Sequence, residues 1–371
     1  MPHALTLRPA TRVLRRAPGE VQIGTDPRWA VRLVGLSAAE ERWLQSLEPR
    51  FGADGAPCAT TADLRPPAQR RGTLLRLLEE AGLLVRRRPR RRVSTGPGNG
   101  DAELPVLDAV RHDGAGHRAL AGRARAVVGV VGIGRLGATL ATTLATAGVG
   151  TIVAHETAPV LATDVGLGGF RLRDVGAPRG LALARILGEV APGVTTASGR
   201  VPDVVVVVEH DAADPDRVRE LVGDGVAHLS IVVREADVVV GPFVRPGLDP
   251  CVRCVDLRRR DVDPCWPQMA RQLRDAVGPG YEDAVLSSVA ASVASGQVLA
   301  AIDGDVPRTA TACLEILAPD AVPRLRGTTS HPECGCTELR GAPPDGTPLV
   351  RAGLAPRATS TRTSGDRTRI G

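Results

Sequence analysis

Two sets of residues in the 371-residue sequence have the types and the spacing to do chemistry. The first is Gly132-x-Gly134-x-x-Gly137, which follows the apolar run Ala126 to Val131 and opens an alanine- and threonine-rich stretch that ends at Gly148-Val149-Gly150. Glycines at this spacing let backbone approach a phosphate. The following helix N-terminus offers an anion unpaired N–H groups and the positive end of its dipole. Glu156 stands 19 residues after Gly137, at the end of a second apolar run, where an acid can accept a ribose hydroxyl. The same three glycines would also suit a helix that only packs closely on a strand.

The second set is sulfur. Cys251-Val-Arg-Cys254 is a CxxC knuckle, and Cys334-Gly-Cys336 lies 80 residues after Cys254. Two thiolate pairs brought together by a fold supply the four soft, tetrahedral ligands that a structural zinc prefers. With no open coordination position, such a metal would staple the C-terminal segment to the preceding domain. His331 could stand in for Cys336 should that side chain point away. The competing readings are a redox pair or unrelated buried thiols, but a redox CxxC belongs at the start of a helix in a thioredoxin-like unit, a context missing here. Among the seven cysteines, Cys58 and Cys313 read as ordinary thiols; Cys265, in Asp263-Pro264-Cys265-Trp266-Pro267, has no evident base beside it and reads as passive.

The elements that must position these groups follow from hydrophobic patterning. Residues 126–156 read as strand, glycine turn, helix and strand. Asp203 to Val208 is a run of valines suited to a strand buried on both faces of a parallel sheet. Helices fit Arg179 to Glu189 and Pro215 to Val222. Strands fit Leu229 to Val233 and Val238 to Val244, the second placed to run antiparallel to the first across Arg234-Glu235-Ala236. The fold class is α/β: a Rossmann-like, mostly parallel sheet with helices on both faces, over residues 106–340. The uncharged run Val285 to Ile302 reaches membrane length at 18 residues, yet its four serines, glycine and glutamine suit a buried helix.

Residues 1–92 read as a small α+β, winged-helix-like module. Val21 to Gly24 and Ala30 to Val34 are extended, Ser37 and Glu40 form a capping box, and a second helix from about Gln69 to Ala81 carries Leu74, Leu75, Leu77 and Leu78. Such a module can capture a peptide as an added strand or place a helix on DNA. The arginine cluster Arg86 to Arg92 reads as a solvated run. Residues 93–105 form a linker rich in Gly, Pro and polar residues, and 341–371 a disordered tail.

Composition narrows the partners. The net charge is +6, but the sequence contains no lysine, so all 47 basic residues are arginine. That pattern reflects coding bias more than a nucleic-acid surface, and an aromatic content of 2% removes the stacking platforms of single-strand binders. Lysine nucleophiles, Schiff bases and a P-loop lysine are excluded. The N-terminal residues lack a signal-peptide core, so the expected location is the cytoplasm, without a membrane partner.

The glycine loop, Glu156, the Asp174-Val175-Gly176-x-Pro178-Arg179 segment and the late cysteine pairs, taken in order, resemble the ubiquitin-activating superfamily of ThiF, MoeB and HesA proteins. With the N-terminal module they are most similar to the ThiF-like leader-peptide-binding proteins of thiazole/oxazole-modified peptide pathways and to related actinobacterial ThiF-like proteins. The resemblance implies a homodimer, a peptide or small carrier-protein substrate, a partner modifying enzyme, and Mg-ATP held by Gly132, Gly134, Gly137, Glu156 and Arg179. It places the magnesium acid at His210 or Asp211, and makes Arg179 and Asp211 the catalytic pair of an active member. The sequence also departs from the family. Arg135 replaces a further glycine, Ala158 a second acid, and Leu167 an arginine expected on the terminal phosphates; Arg179 replaces a lysine. Losing a charge-assisted phosphate contact costs about 1.5–3 kcal/mol, so nucleotide binding is expected to be weak. The leading expectation is a peptide-binding protein with a partly degenerate ATP site; the alternative is an active adenylyltransferase acting on a C-terminal carboxylate. An NAD-dependent oxidoreductase would leave the cysteine pairs unexplained.

Overall fold

The computed structural model describes residues 5–8, 11–27, 29–48, 66–86, 100–111, 115–275 and 280–337. Cys58, Arg87 to Arg92 and the tail 341–371 lie outside the described residues. The N-terminal unit comprises β1 (Leu5–Leu7), β2 (Val13–Ala17), β3 (Glu20–Ile23), β4 (Val31–Val34), α1 (Ala38–Ser46), α2 (Ala68–Glu80) and β5 (Leu84–Arg86). The expected capping box is present: Ser37 Oγ accepts from the Glu40 N–H, and the Glu40 carboxylate accepts from the Ser37 N–H. Strands β2, β3 and β4 form an antiparallel sheet. Leu7, Val21, Ile23, Leu33, Trp43, Leu44, Leu74 and Leu78 close a core of their own, whereas Leu77 of the predicted apolar face is exposed. Among the described residues, α2 leads into β5, the last strand of the small unit. Strand β5 returns to pair antiparallel with β1, because Leu83 and Leu7 bury in the same core.

The expected linker also differs at its C-terminal end. Helix α3 (Gly100–Val110) begins inside it and runs through Pro105, followed by α4 (Gly116–Arg125). Leu104 and Leu107 are buried, and that packing offsets the helix-breaking tendency of the proline.

The larger unit is a seven-stranded sheet in the order β12-β11-β10-β9-β8-β6-β7. Its strands are β6 (Val127–Val131), β7 (Thr151–Val153), β8 (Val204–His210), β9 (His228–Val233), β10 (Asp237–Val244), β11 (Ala312–Leu317) and β12 (Pro323–Gly327). Strands β7, β6, β8 and β9 are mutually parallel; β10, β11 and β12 continue the sheet antiparallel. The helices are α5 (Arg135–Thr146), α6 (Arg179–Val190), α7 (Pro215–Gly223), α8 (Val252–Val262), α9 (Trp266–Asp275) and α10 (Ala284–Ile302). The valine run of β8 is explained by two-sided burial. Val204, Val206 and Val208 join the main core with Leu136, Leu140, Leu229 and Ile231, while Val205 and Val207 meet Val226 on the other face. Helix α10 is the one described helix long and apolar enough to cross a membrane. Its Leu286, Ala290, Ala291, Ala294 and Val298 are buried, on a face laid against α5 and β10.

Burial in this sheet carries a pH consequence. His228 on β9 is fully buried; one ring nitrogen, Nδ1, lies 2.9 Å from the Val226 carbonyl, and Nε2 has no partner among the described residues. Desolvation lowers its pKa and outweighs the carbonyl contact, so the folded state holds the neutral ring. Unfolding then takes up a proton below the ordinary histidine pKa, and stability falls as pH drops through about 6.5, by up to about 1.4 kcal/mol per pH unit. Urea unfolding between pH 7.5 and 5 should show this loss, and His228→Leu should flatten the profile.

Candidate functional site: the glycine loop and the cysteine cluster

The loop between β6 and α5 is shaped by two of its glycines meeting backbone. Gly132 has φ +80°, and a Cβ there would lie 2.2 Å from the Val208 carbonyl oxygen of β8. A Cβ on Gly137 would lie 2.1 Å from the Gly132 carbonyl oxygen. These positions seat the loop and the first turn of α5 against the sheet. Gly134 differs: it is the N-cap of α5, has no side chain to cap the helix, and what a Cβ would meet is a carboxylate oxygen of Glu282, 2.6 Å away.

Glu282 lies just before α10, yet its Oε2 accepts the Leu136 N–H of α5 at 2.5 Å. Oε1 is 3.1 Å from His210 Nε2, and Arg135 Nη1 donates to the Glu282 backbone carbonyl at 2.7 Å. The side chain is 5% exposed. Its hydrogen bond to His210 raises that imidazole's pKa, outweighing the desolvation of the ring. His210 is the last residue of β8, and Asp211 follows in left-handed backbone at φ +64°.

Glu156 closes the other side of the loop. Its Oε2 accepts the Ile133 N–H at 3.0 Å, and its Oε1 accepts from Arg179 Nη1 at 2.5 Å. Arg179, the first residue of α6, also donates through Nε to Asp164 at 2.9 Å. The structure gathers Gly132, Gly134, Gly137, Glu156, Arg179 and His210 around one turn, with Asp211 next in sequence. It adds Asp164 and Glu282, which sequence reasoning missed. Asp164 had no signal beyond its place in a departing motif, and Glu282 had none. Leu167, where an arginine was expected, is exposed. The cations here are already committed: Arg179 to Glu156 and Asp164, His210 to Glu282, and Arg135 to a carbonyl, its Nε buried with no partner among the described residues. A cleft of about 580 Å³ runs from Glu156 along β7 and α6, lined by Ile152, His155, Pro178, Leu181 and Leu187.

The four cysteines meet at the far end of the sheet domain's sequence. Cys251 is the N-cap of α8 and Cys254 lies in its first turn; Cys334 and Cys336 follow β12. Gly335 between them adopts φ +69°, which folds the short CxC back so that both sulfurs face the knuckle. Cys251 and Cys334 sulfurs are 3.5 Å apart, those of Cys254 and Cys336 are 3.4 Å apart, and all four ligand atoms lie within 4.8 Å. Tetrahedral zinc–sulfur bonds of about 2.3 Å call for sulfurs about 3.8 Å apart, so the donor set fits such an ion. Burial pushes the Cys251 thiol up, with repulsion from its neighbours adding to it, and burial pushes Cys336 up to about 12. Burial also works against Cys254, but hydrogen bonds from the His331 and Cys251 backbones outweigh it and bring its pKa down. Without a metal the protein eases deprotonation at Cys254 and opposes it at Cys251 and Cys336; a dication would supply the charge that stabilises thiolates there.

His331 is not a substitute ligand. Cys336 faces the cluster, while His331 Nε2 pairs with Asp261 at 2.8 Å and Nδ1 accepts the Glu333 N–H. Its role is at the next layer, where its own N–H lies 3.3 Å from Cys254 Sγ. Cys313 is buried on β11, and Cys265 is exposed at the turn before α9, its N–H bonded to Asp263.

No protein-family model matches this sequence, and no curated protein matches it. Solved structures do. E. coli MccB with ATP superposes with a TM-score of 0.64 at 15% identity, covering 90% of this chain and 99% of that one. The microcin C7 biosynthetic enzyme MccB in complex with N-formylated MccA gives 0.65 at 15% identity over the same shares. PaaA gives 0.61 at 15% identity, covering 85% of this chain and 98% of that one. The chain has the MccB fold. The match covers 90% of this chain, more than the sheet unit alone could supply. At this identity the MccB likeness speaks for the fold; what the glycine loop and the cysteines do rests on the contacts above.

Proposed function

We propose that this chain is a ThiF-type protein that binds a substrate or leader peptide through its N-terminal unit and presents it to a separate modifying enzyme, with a partly degenerate ATP site. One observation carries the reading: the N–H groups and cations of the glycine loop are already paired with the chain's own carboxylates, Glu156, Asp164 and Glu282. A nucleotide's phosphates would have to compete with these carboxylates for the same N–H groups and cations, and no arginine stands at Leu167 to receive its terminal phosphate. The peptide role draws support from the retained N-terminal unit and from the shared fold of MccB, a structure of which holds N-formylated MccA. Strand β4 is an edge of the small sheet with Val34 exposed, a suitable template for an added strand. In this reading the four cysteines hold zinc as a structural staple, and the protein acts as a cytoplasmic homodimer.

The test is selection of binders from a random peptide display library on the full chain. Selected peptides should lose at least about tenfold in affinity, about 1.4 kcal/mol, when Val34→Glu charges the β4 edge. Undiminished affinity in a chain lacking residues 1–92 would remove the reading.

An active adenylyltransferase is the second reading. It is favoured by the survival of Gly132, Gly134, Gly137, Glu156 and Arg179 around one turn, and it would use Arg179 on phosphate and Asp211 on magnesium. For that chemistry Arg179 would first have to release Glu156 and Asp164.

A further inference from the structure

A helix N-terminus whose N-cap is glycine has no side-chain acceptor of its own, and its first N–H groups seek an anion. At α5 that anion comes from the chain. Glu282 is 146 residues from Leu136 in sequence, yet its carboxylate accepts the Leu136 N–H and fills the space that Gly134 leaves open. The contact is anchored from three sides. Arg135, the first residue of α5, holds the Glu282 carbonyl; His210, at the end of β8, holds Oε1; and Gly280 lies so close to the His210 ring that a Cβ would be 2.3 Å from it. The next residue, Asp283, caps α10 by accepting the Val285 and Leu286 N–H groups, so Glu282 is set by a neighbouring helix end rather than left to wander.

We propose that Glu282 is a built-in anion that occupies the phosphate subsite of the glycine loop and holds it shut against polyphosphates. The contact is an autoinhibitory one: a carboxylate takes the N–H and the space at Gly134 that a phosphate oxygen would use, and a bound polyphosphate must expel it. The apparent affinity for a polyphosphate is then the intrinsic affinity reduced by the fraction of molecules in which Glu282 has left the loop. This rests on reading the loop as derived from a nucleotide site; it does not depend on the peptide role. A carboxylate kept only to cap α5 would affect stability when removed but would not hide a polyphosphate site.

The experiment is calorimetric titration of the full chain and of its Glu282→Ala and Glu282→Gln variants with Mg-ATP and, separately, with inorganic triphosphate. Glu282→Gln keeps the shape and removes the charge, so it serves should Glu282→Ala fail to fold, with circular dichroism as the check. The expected result is no saturable heat from the parent at millimolar ligand and binding at least about tenfold tighter in the variants, for both ligands. If neither parent nor variants bind, the plug is overturned while the decayed-site reading stands. Equal micromolar binding by all three overturns both.

Discussion

Cys254→Ser is expected to empty the cysteine cluster of its metal and to lower the melting temperature by on the order of 10 °C. The wild-type chain should carry one zinc per molecule by elemental analysis, and the variant close to none. The size of the effect follows from what the cluster joins. Cys254 Sγ is close to both Cys336 Sγ and the His331 N–H, so it links the start of α8 to the segment after β12. The cluster also forms a small core with Val244, at the end of β10. Structural zinc sites contribute about 10–16 kcal/mol of apparent binding energy in small peptides, and the alternative to a bound cation here is buried thiols with pKa values pushed upward. Wild-type protein purified without chelator and found free of zinc would contradict the assignment.

Gly132→Ala should cost about 2–5 kcal/mol, whereas Gly134→Ala should fall within about 1 kcal/mol of the parent. Both are glycines of one motif, and the difference lies in what each faces. At Gly132 the new methyl would sit 2.2 Å from a backbone carbonyl of β8, in a backbone conformation that disfavours any side chain, and neither the strand nor the turn can retreat without opening the sheet. At Gly134 the neighbour is the end of the Glu282 side chain and not backbone, so a methyl can be accommodated by shifting that carboxylate, at the cost of its contacts with the Leu136 N–H and His210. Chemical denaturation of the two variants gives the comparison directly. Equal losses would mean that the loop is held by something other than the Gly132 to Val208 contact.

That contrast also shows how far the sequence can be read. Glycine spacing marks a close approach but does not say to what; Gly132 and Gly137 answer to backbone and Gly134 to a carboxylate from another element. The unbroken valine run of β8, the Ser37–Glu40 capping box and the antiparallel turn at Arg234 are local patterns, and each appears as expected. The β1–β5 pairing is not local: it joins residues 81 apart through Leu5 and Arg86, and neither short strand has enough alternation to announce itself. The start of α3 was obscured for the opposite reason, since its Gly-Pro composition signals a linker while burial of Leu104 and Leu107 makes it a helix.

By itself the sequence determined the α/β class, the strand–glycine turn–helix unit, the pairing of two cysteine motifs into one donor set and the exclusion of lysine chemistry. These depend on residue type and short-range period, which the chain writes explicitly. Only the tertiary structure decided that Arg179 spans Glu156 and Asp164, that His331 serves Cys254 through its backbone, and that Glu282 closes the glycine loop. Those contacts link groups from 15 to 146 residues apart. Which charges meet across such distances is set by how the helices and strands pack, and packing has no period to read.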